Sequence, residues 1–207
     1  FCYRRVSDVM RGKLIVIEGT DCSGKETQAS LLVKKLNEMG IKSKKLSFPN
    51  YETATGKIIG SCYLGKEDLC KKYLQDNNGW FKEGASNVDG MVSSLYYAAD
   101  RKYNIMECES LLSQGINVIL DRYTFSNMAH QGGKIIRQEE RFQFFKKIET
   151  LEFDILNLPK PDLVILLYVP FQVTLDLQKK RCESLDQNEK DKKHLKRAEQ
   201  TYLELKA

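Results

Sequence analysis

Apolar positions along the chain fall into two alternating patterns, and the alternation predicts the architecture. Leu14-Ile-Val-Ile17 is an unbroken apolar, β-prone run and reads as a first strand. Ala29, Leu32, Val33, Leu36 and Met39 then follow helical spacing, and Gly40 stops that helix. Lys45 to Phe48 reads as a second strand, ended by Pro49. Val92 to Ser113 reads as a long helix with an aromatic and aliphatic stripe of Leu95, Tyr96, Ala99 and Tyr103, closed by Gly115. Asn117 to Asp121 is a third strand, and Arg137 to Leu151 another helix. Pro161-Asp162 opens Leu163 to Val169, a continuous apolar run expected of a strand buried on both faces. Residues 171–181 are helical and end in Lys179-Lys180-Arg181, and a final helix begins near Glu189. The polar stretch 60–90, with the only tryptophan, Trp80, reads as short helices and loops over the strand ends. Strands alternating with helices predict an α/β fold in three layers, a central parallel sheet flanked by helices. Ligands of such a sheet bind beyond the carboxyl ends of its strands.

Composition narrows the class of partner. At 207 residues the chain is expected to hold one domain, over 13–207, with residues 1–12 a disordered or non-native extension before a natural-looking start at Met10-Arg-Gly-Lys. The net charge of +5 suits anionic ligands, but no Lys/Arg block is interleaved with aromatics, so nucleic acid is not an expected partner. The six cysteines are scattered without C-x-x-C spacing, and with two histidines a zinc site is not expected. Free thiols point to a reducing cytoplasm. No apolar run reaches membrane-spanning length, so no membrane partner is expected.

The richest chemistry lies directly after the first strand. Gly19-Thr-Asp-Cys-Ser-Gly24-Lys25 links that strand to the helix that follows, the context of a phosphate-binding P-loop. Glycines let the backbone curl, so that successive N–H groups from Gly19, Thr20, Asp21, Cys22, Ser23 and Gly24 converge on a polyphosphate. Lys25 adds a point charge, and the new helix adds the positive end of its dipole. Glu26 stands where Ser or Thr usually contacts Mg²⁺. Thr27, a water or carboxylates elsewhere then take up that contact, and Glu26 also suits a surface position in a first helical turn.

A second set of residues suggests an acceptor site. Arg101 and Arg122 each follow an aspartate, and a guanidinium binds oxyanions bidentately; two surface ion pairs explain them equally well. Tyr97 lies four residues before Arg101 on one helix face, where it would flank a nucleobase or fill the core.

Taken in order, these segments resemble thymidylate kinases, a family of P-loop nucleoside monophosphate kinases. The resemblance runs from about residue 13 to 206. It rests on Glu18-Gly-Thr-Asp21-Cys-Ser-Gly-Lys25, Phe48-Pro-Asn-Tyr51, Tyr97-Ala-Ala-Asp-Arg101, Asp121-Arg-Tyr-Thr-Phe-Ser126-Asn127, Leu158-Pro-Lys-Pro-Asp162 and the basic segment up to Arg181. It implies a P-loop NTPase fold, transfer of the γ-phosphate of ATP to dTMP, Mg²⁺, and a homodimer packed through long helices. By the same resemblance Asp21 would accept a hydrogen bond from the 3′-hydroxyl of dTMP, and Tyr97 would stack on thymine beside Phe48. Arg101 would bond the base or the acceptor side of the site, and Arg122, with help from Arg101, would hold the acceptor phosphate. Ser126 and Asn127 would read the polar edge of thymine. His130 falls where a bulky ring in the family crowds the sugar 2′ position. Asp121 would help organise magnesium. Tyr51 stands where some members place an arginine on the phosphate. Cys22 cannot supply the transition-state cation found there in some members, so Arg181, in a lid at about 178–190, would supply it. Asp186 and Glu189 resemble the acidic pair ending that lid, and they also form an Asp-x-x-Glu capping pattern. The family continues beyond the last helix into a fifth strand and a closing helix, so the chain reads as a C-terminally shortened version.

Other readings stay open on the residues. A different P-loop nucleoside or nucleotide kinase is one, although the Gly-x-Pro-Gly-x-Gly-Lys loop of adenylate kinases is absent. A GTP-binding switch is another, although Asn-Lys-x-Asp is absent. A non-catalytic P-loop nucleotide-binding protein is the third.

Overall fold

The computed structural model of the protein describes residues 10–75, 79–180 and 184–205. The predicted strands form β1 (Leu14–Gly19), β2 (Ser43–Ser47), β3 (Asn117–Asp121) and β4 (Leu163–Leu167), in one parallel sheet of order β2-β3-β1-β4. Side chains alternate across it, as the period of two demands. Leu14 and Val16 of β1 and Val118 and Leu120 of β3 bury against the long helix α4 (Gly90–Ser113), through Ile105, Cys108 and Leu112. Ile17 and Ile119 point the other way, onto Ala29, Leu32, Val33 and Leu36 of α1 (Lys25–Glu38). The result is the expected three-layer α/β sandwich with its core on both faces of β1 and β3.

Short elements follow β2. Helix α2 (Ala54–Lys57) runs into a π-helical turn at Ile58–Tyr63, and α3 (Glu67–Tyr73) follows. Asp89 caps α4 by accepting from Met91 N and Val92 N at 2.9 and 3.0 Å. Beyond β3 come α5 (Thr124–Gly132) and α6 (Gln138–Glu149), the latter continuing into a π-helical turn at Thr150–Ile155. After β4 come α7 (Phe171–Lys180), α8 (Gln187–Lys190) and α9 (Lys192–Leu205). The described residues of the segment 60–90 form short helices and loops, as expected.

Two expectations are corrected. β4 is not buried on both faces: Leu163 is 52% exposed and Val164 37%. It is an edge strand, paired only with β1 among the described residues, so an apolar run does not by itself place a strand in mid-sheet. The stripe on α4 also divides differently. Leu95, Ala99 and Tyr103 face solvent together with Val92 and Met106, whereas Ala98, Arg101, Ile105 and Cys108 face inward. This helix is apolar on two faces, so spacing could not choose between them. Helix α5 has no counterpart in the sequence prediction.

Candidate active site

The P-loop forms as its sequence requires. Gly19, at φ 152°, ends β1 where an added Cβ would lie 2.1 Å from the Leu167 carbonyl oxygen of β4. Gly24, at φ 80°, takes the left-handed conformation and precedes α1 with no side-chain cap, so the first N–H groups of that helix stay available to an anion. Lys25 Nζ lies over the loop and donates to the Thr20 carbonyl at 2.6 Å. Burial and the nearby Arg122 cation bring its pKa down to about 8, against the pull of Asp21, Asp121 and Glu18.

Arg122 faces Lys25 across Asp21. Its residue has φ 66°, the strained left-handed region, as the chain turns from β3 directly into α5. Glu18 of β1 holds that turn. This buried carboxylate accepts from Tyr123 N at 2.8 Å and Ser126 N at 3.1 Å, capping α5 from a neighbouring strand, and from the hydroxyl of Tyr202 at 3.3 Å. Arg122 Nη2 donates to Asp21 Oδ1, and Nη1 lies 3.4 Å from both Ser126 Oγ and His130 Nε2. Burial opposes the charge on Asp21, but Arg122 and Lys25 outweigh it and hold this carboxyl well below the usual range.

These groups open into one cavity of about 560 Å³ at the carboxyl ends of the strands, within the range of small-molecule sites. The P-loop forms one end. The opposite wall carries Tyr97, packed edge-on against Tyr63 at 5.8 Å within an aromatic cluster that includes Tyr96 and Phe81. Asp100 accepts from Asn50 N at 3.1 Å and Thr55 Oγ1 at 2.7 Å, and so ties the Phe48-Pro49-Asn50 corner to α4. Four wall residues have buried polar atoms without a hydrogen-bond partner: Asp121 Oδ1, Asn127 Oδ1, Asn188 Oδ1 and both amide atoms of Gln131. Such atoms are rare in a folded protein unless a ligand, ion or water completes them. Their convergence on this cavity, beside two cations, marks it as a site for a polar, anionic ligand.

A thymidylate kinase profile matches residues 17–207. The chain belongs to the thymidylate kinase family. It is 36% identical to thymidylate kinase of Plasmodium falciparum over 163 residues, 79% of this chain and 64% of that protein. With thymidylate kinase of Schizosaccharomyces pombe it shares 32% identity over 94% of this chain and 80% of that one. The solved structure of thymidylate kinase from Candida albicans superposes with a TM-score of 0.67 at 29% identity, covering 94% of this chain and 78% of the other. The chain thus spans less than two thirds of the length of the Plasmodium relative.

Residues from the P-loop, the Phe48 corner, α4 and the turn from β3 into α5 meet in this cavity. Asp21, Cys22, Gly24, Lys25, Glu26, Thr27, Phe48, Tyr51, Tyr97, Arg101, Asp121, Arg122, Ser126, Asn127 and His130 all line it. Gly19, Thr20 and Ser23 belong to the same loop but do not line the cavity. Glu26 is exposed and lies 3.4 Å from Lys45 Nζ, the plain surface reading. Asp186 and Glu189 form the capping box of α8, as the Asp-x-x-Glu pattern suggests, and both line the cavity. Arg181 lies outside the described residues; Lys180 beside it lines the cavity.

The two-arginine clamp is divided. Arg101 is 2% exposed, and its guanidinium forms a bidentate pair with the buried Glu152, at 2.6 and 2.5 Å. Glu152 also accepts from Thr124 Oγ1 at 2.8 Å and Asn127 Nδ2 at 3.0 Å. Neither arginine makes a surface pair: Arg101 shapes the wall behind Asn127, and Arg122 alone presents its charge beside Asp21. Ser126 lines the cavity, but its Oγ donates to Glu18. Sequence reading assigned Glu18 no role of its own and did not mark Glu152, because the partners of both are distant in the chain. It also passed over Gln131, which α5 places one turn beyond Asn127 on the same face; recognising that helix would have exposed the pair.

Proposed function

We propose that the protein transfers the γ-phosphate of ATP to dTMP, giving dTDP for dTTP synthesis. The observation that carries this reading is the facing of two anion sites, Lys25 with the α1 N-terminus and Arg122, across Asp21 in a single cavity. The P-loop receives the polyphosphate of ATP, and Arg122 receives the acceptor phosphate, so that donor and acceptor approach in line. Asp21, held ionised, accepts from the sugar 3′-hydroxyl. Tyr97 and Phe48 flank the base, and the free carbonyl of Asn127 with the free amide of Gln131 reads its polar edge, a donor and an acceptor matching a pyrimidine. His130 crowds the 2′ position. Little covalent work falls to the protein; positioning and charge stabilisation supply the rate, and no general base is required.

Magnesium fits this site through Asp121, whose Oδ1 is buried and unpartnered. No cluster of three His, Cys, Asp or Glu side chains suited to a metal occurs among the described residues. That agrees with an ion held by one carboxylate, waters and substrate phosphates. When bound, it would neutralise charge on the β- and γ-phosphate oxygens. Arg181, from the lid at about 178–190 of a single domain over 13–207, supplies the further cation.

The exposed apolar face of α4 supports a homodimer through that helix. No helix among the described residues is long and apolar enough to cross a membrane. Cys62 and Cys108 are buried thiols outside any disulfide, which supports a cytoplasmic setting.

The test is a coupled ADP-release assay with a panel of nucleoside monophosphates. The expected result is preference for dTMP with ATP and magnesium. Lys25→Ala should lower turnover by about 10²–10³, the effect of one preorganised charge on a transferring group. Turnover indifferent to the monophosphate, or surviving loss of Lys25, would overturn the proposal.

A further inference from the structure

We infer that His194 is a positioning residue for the acceptor-phosphate arginine: a directed hydrogen-bond chain, Arg122 to His130 to His194, fixes the tautomer of His130 and the orientation of the Arg122 guanidinium. The phosphate role of Arg122 rests on the function proposed above; the chain itself rests on geometry.

The protein has two histidines, and they meet. Their rings stack at 5.4 Å and 30°, with His130 Nδ1 3.2 Å from His194 Nε2. On its other edge, His130 Nε2 lies 3.4 Å from Arg122 Nη1. A guanidinium can only donate. His130 Nε2 must therefore carry the lone pair, which puts its proton on Nδ1. That proton points at His194 Nε2, which must accept, so the second proton sits on His194 Nδ1. One arrangement of protons satisfies every contact, provided that both rings are neutral. Burial pushes His130 down to about 3 and His194 to about 4. The charges facing His130 are Asp21, Arg122 and Lys25; those facing His194 are Lys134, Asp21, Asp191 and Arg197.

Helix α9 grips the same arginine by a second route. Tyr202, two turns beyond His194 on one helix face, meets the His130 ring edge-on at 6.1 Å and 88°. Its hydroxyl lies 2.9 Å from Ser126 Oγ, the other neighbour of Arg122 Nη1. Helix α9 follows directly on α8, and the Asp191 side chain between them accepts from Lys193 N and His194 N at 2.9 and 3.0 Å. The acidic segment at the cavity, Asp186 and Glu189, is thereby joined through α9 to the arginine opposite Lys25. No residue of α9 was marked by the sequence motifs, because the pairing spans 64 positions.

Two measurements test the relay. Nitrogen-15 correlation spectra of the wild-type imidazoles, at neutral pH, are expected to show His130 protonated on Nδ1 and bare on Nε2. A proton on His130 Nε2 overturns the inference without any variant. In steady-state kinetics, His194→Leu should raise KM for dTMP about three- to tenfold, the range of one net hydrogen bond, with KM for ATP unchanged. His194→Gln, whose amide oxygen can accept from His130 Nδ1, should recover most of the loss. Wild-type kinetics in both variants, or equal damage in both, overturns it, since packing alone would not distinguish an acceptor from a methyl group. If the wild-type protein does not phosphorylate dTMP, the proposed function fails, while the spectrum still decides the relay.

Discussion

Glu152→Gln is the perturbation that most sharply separates a structural Arg101 from a ligand-binding one. The side chain keeps its shape but loses its charge. Glu152 is fully buried and accepts four hydrogen bonds, two of them from Arg101, itself 2% exposed. In the variant one amide hydrogen pair faces the guanidinium, donor against donor, and the arginine charge is left buried without compensation. Breaking a buried ion pair from one side costs about 3–5 kcal/mol. For a chain of this size that corresponds to a Tm lower by about 6–20 °C, at roughly 2–4 °C per kcal/mol. Urea titration and calorimetry on wild type and variant would measure it. The double variant Arg101→Met/Glu152→Leu should recover most of the loss, because two well-packed apolar side chains replace the pair without an orphaned charge. A loss below about 1 kcal/mol in Glu152→Gln would refute the reasoning, since it would put the pair in the class of exposed, weakly coupled ions. Arg101 would then be free to serve the acceptor as a second clamp.

Three further outcomes follow from the site. Lys25 has its pKa lowered to about 8 from 10.5, and bound polyphosphate favours its charged form, so ATP binding near pH 9 should take up a fraction of a proton; calorimetry in buffers of different ionisation enthalpy would detect it, and buffer-independent heats would refute it. Tyr97→Ala should weaken dTMP binding by about 1–3 kcal/mol through loss of stacking, with Tyr97→Phe mild; unchanged dTMP affinity in a folded Tyr97→Ala protein would make the ring purely structural. Both histidines are held below their ordinary 6.5, to about 3 and about 4. The unfolded chain therefore binds more protons between pH 6.5 and 4, and stability should be full above 6.5 and fall as the pH drops through that window. The slope is about 1.4 kcal/mol per pH unit for each imidazole, and chemical denaturation at pH 7 and 5 should reveal it; equal stability at both would refute it.

What could be read from the sequence was whatever is encoded locally. The P-loop needs one glycine where β1 crowds the Leu167 carbonyl and another at φ 80°, and both needs are written within six residues. Unbroken apolar runs marked β1, β3 and β4, and helical spacing marked α1 and α4, so the α/β class and the end of the sheet that carries the site were legible. Position within the sheet was not: the run at Leu163–Leu167 is as apolar as that of β1, yet only pairing decides that, among the described residues, β1 is central and β4 an edge. Nor could spacing choose which apolar face of α4 goes inward. The partners of charged residues were the least legible of all. Asp100-Arg101 and Asp121-Arg122 look alike in the sequence, but Arg101 is claimed by Glu152, 51 residues away, and Arg122 by Asp21, 101 residues away. A charge buried in a protein is tolerable only where the fold delivers its counter-charge. That delivery, made here by a π-helical turn to one arginine and by the P-loop to the other, is a property of the tertiary structure alone.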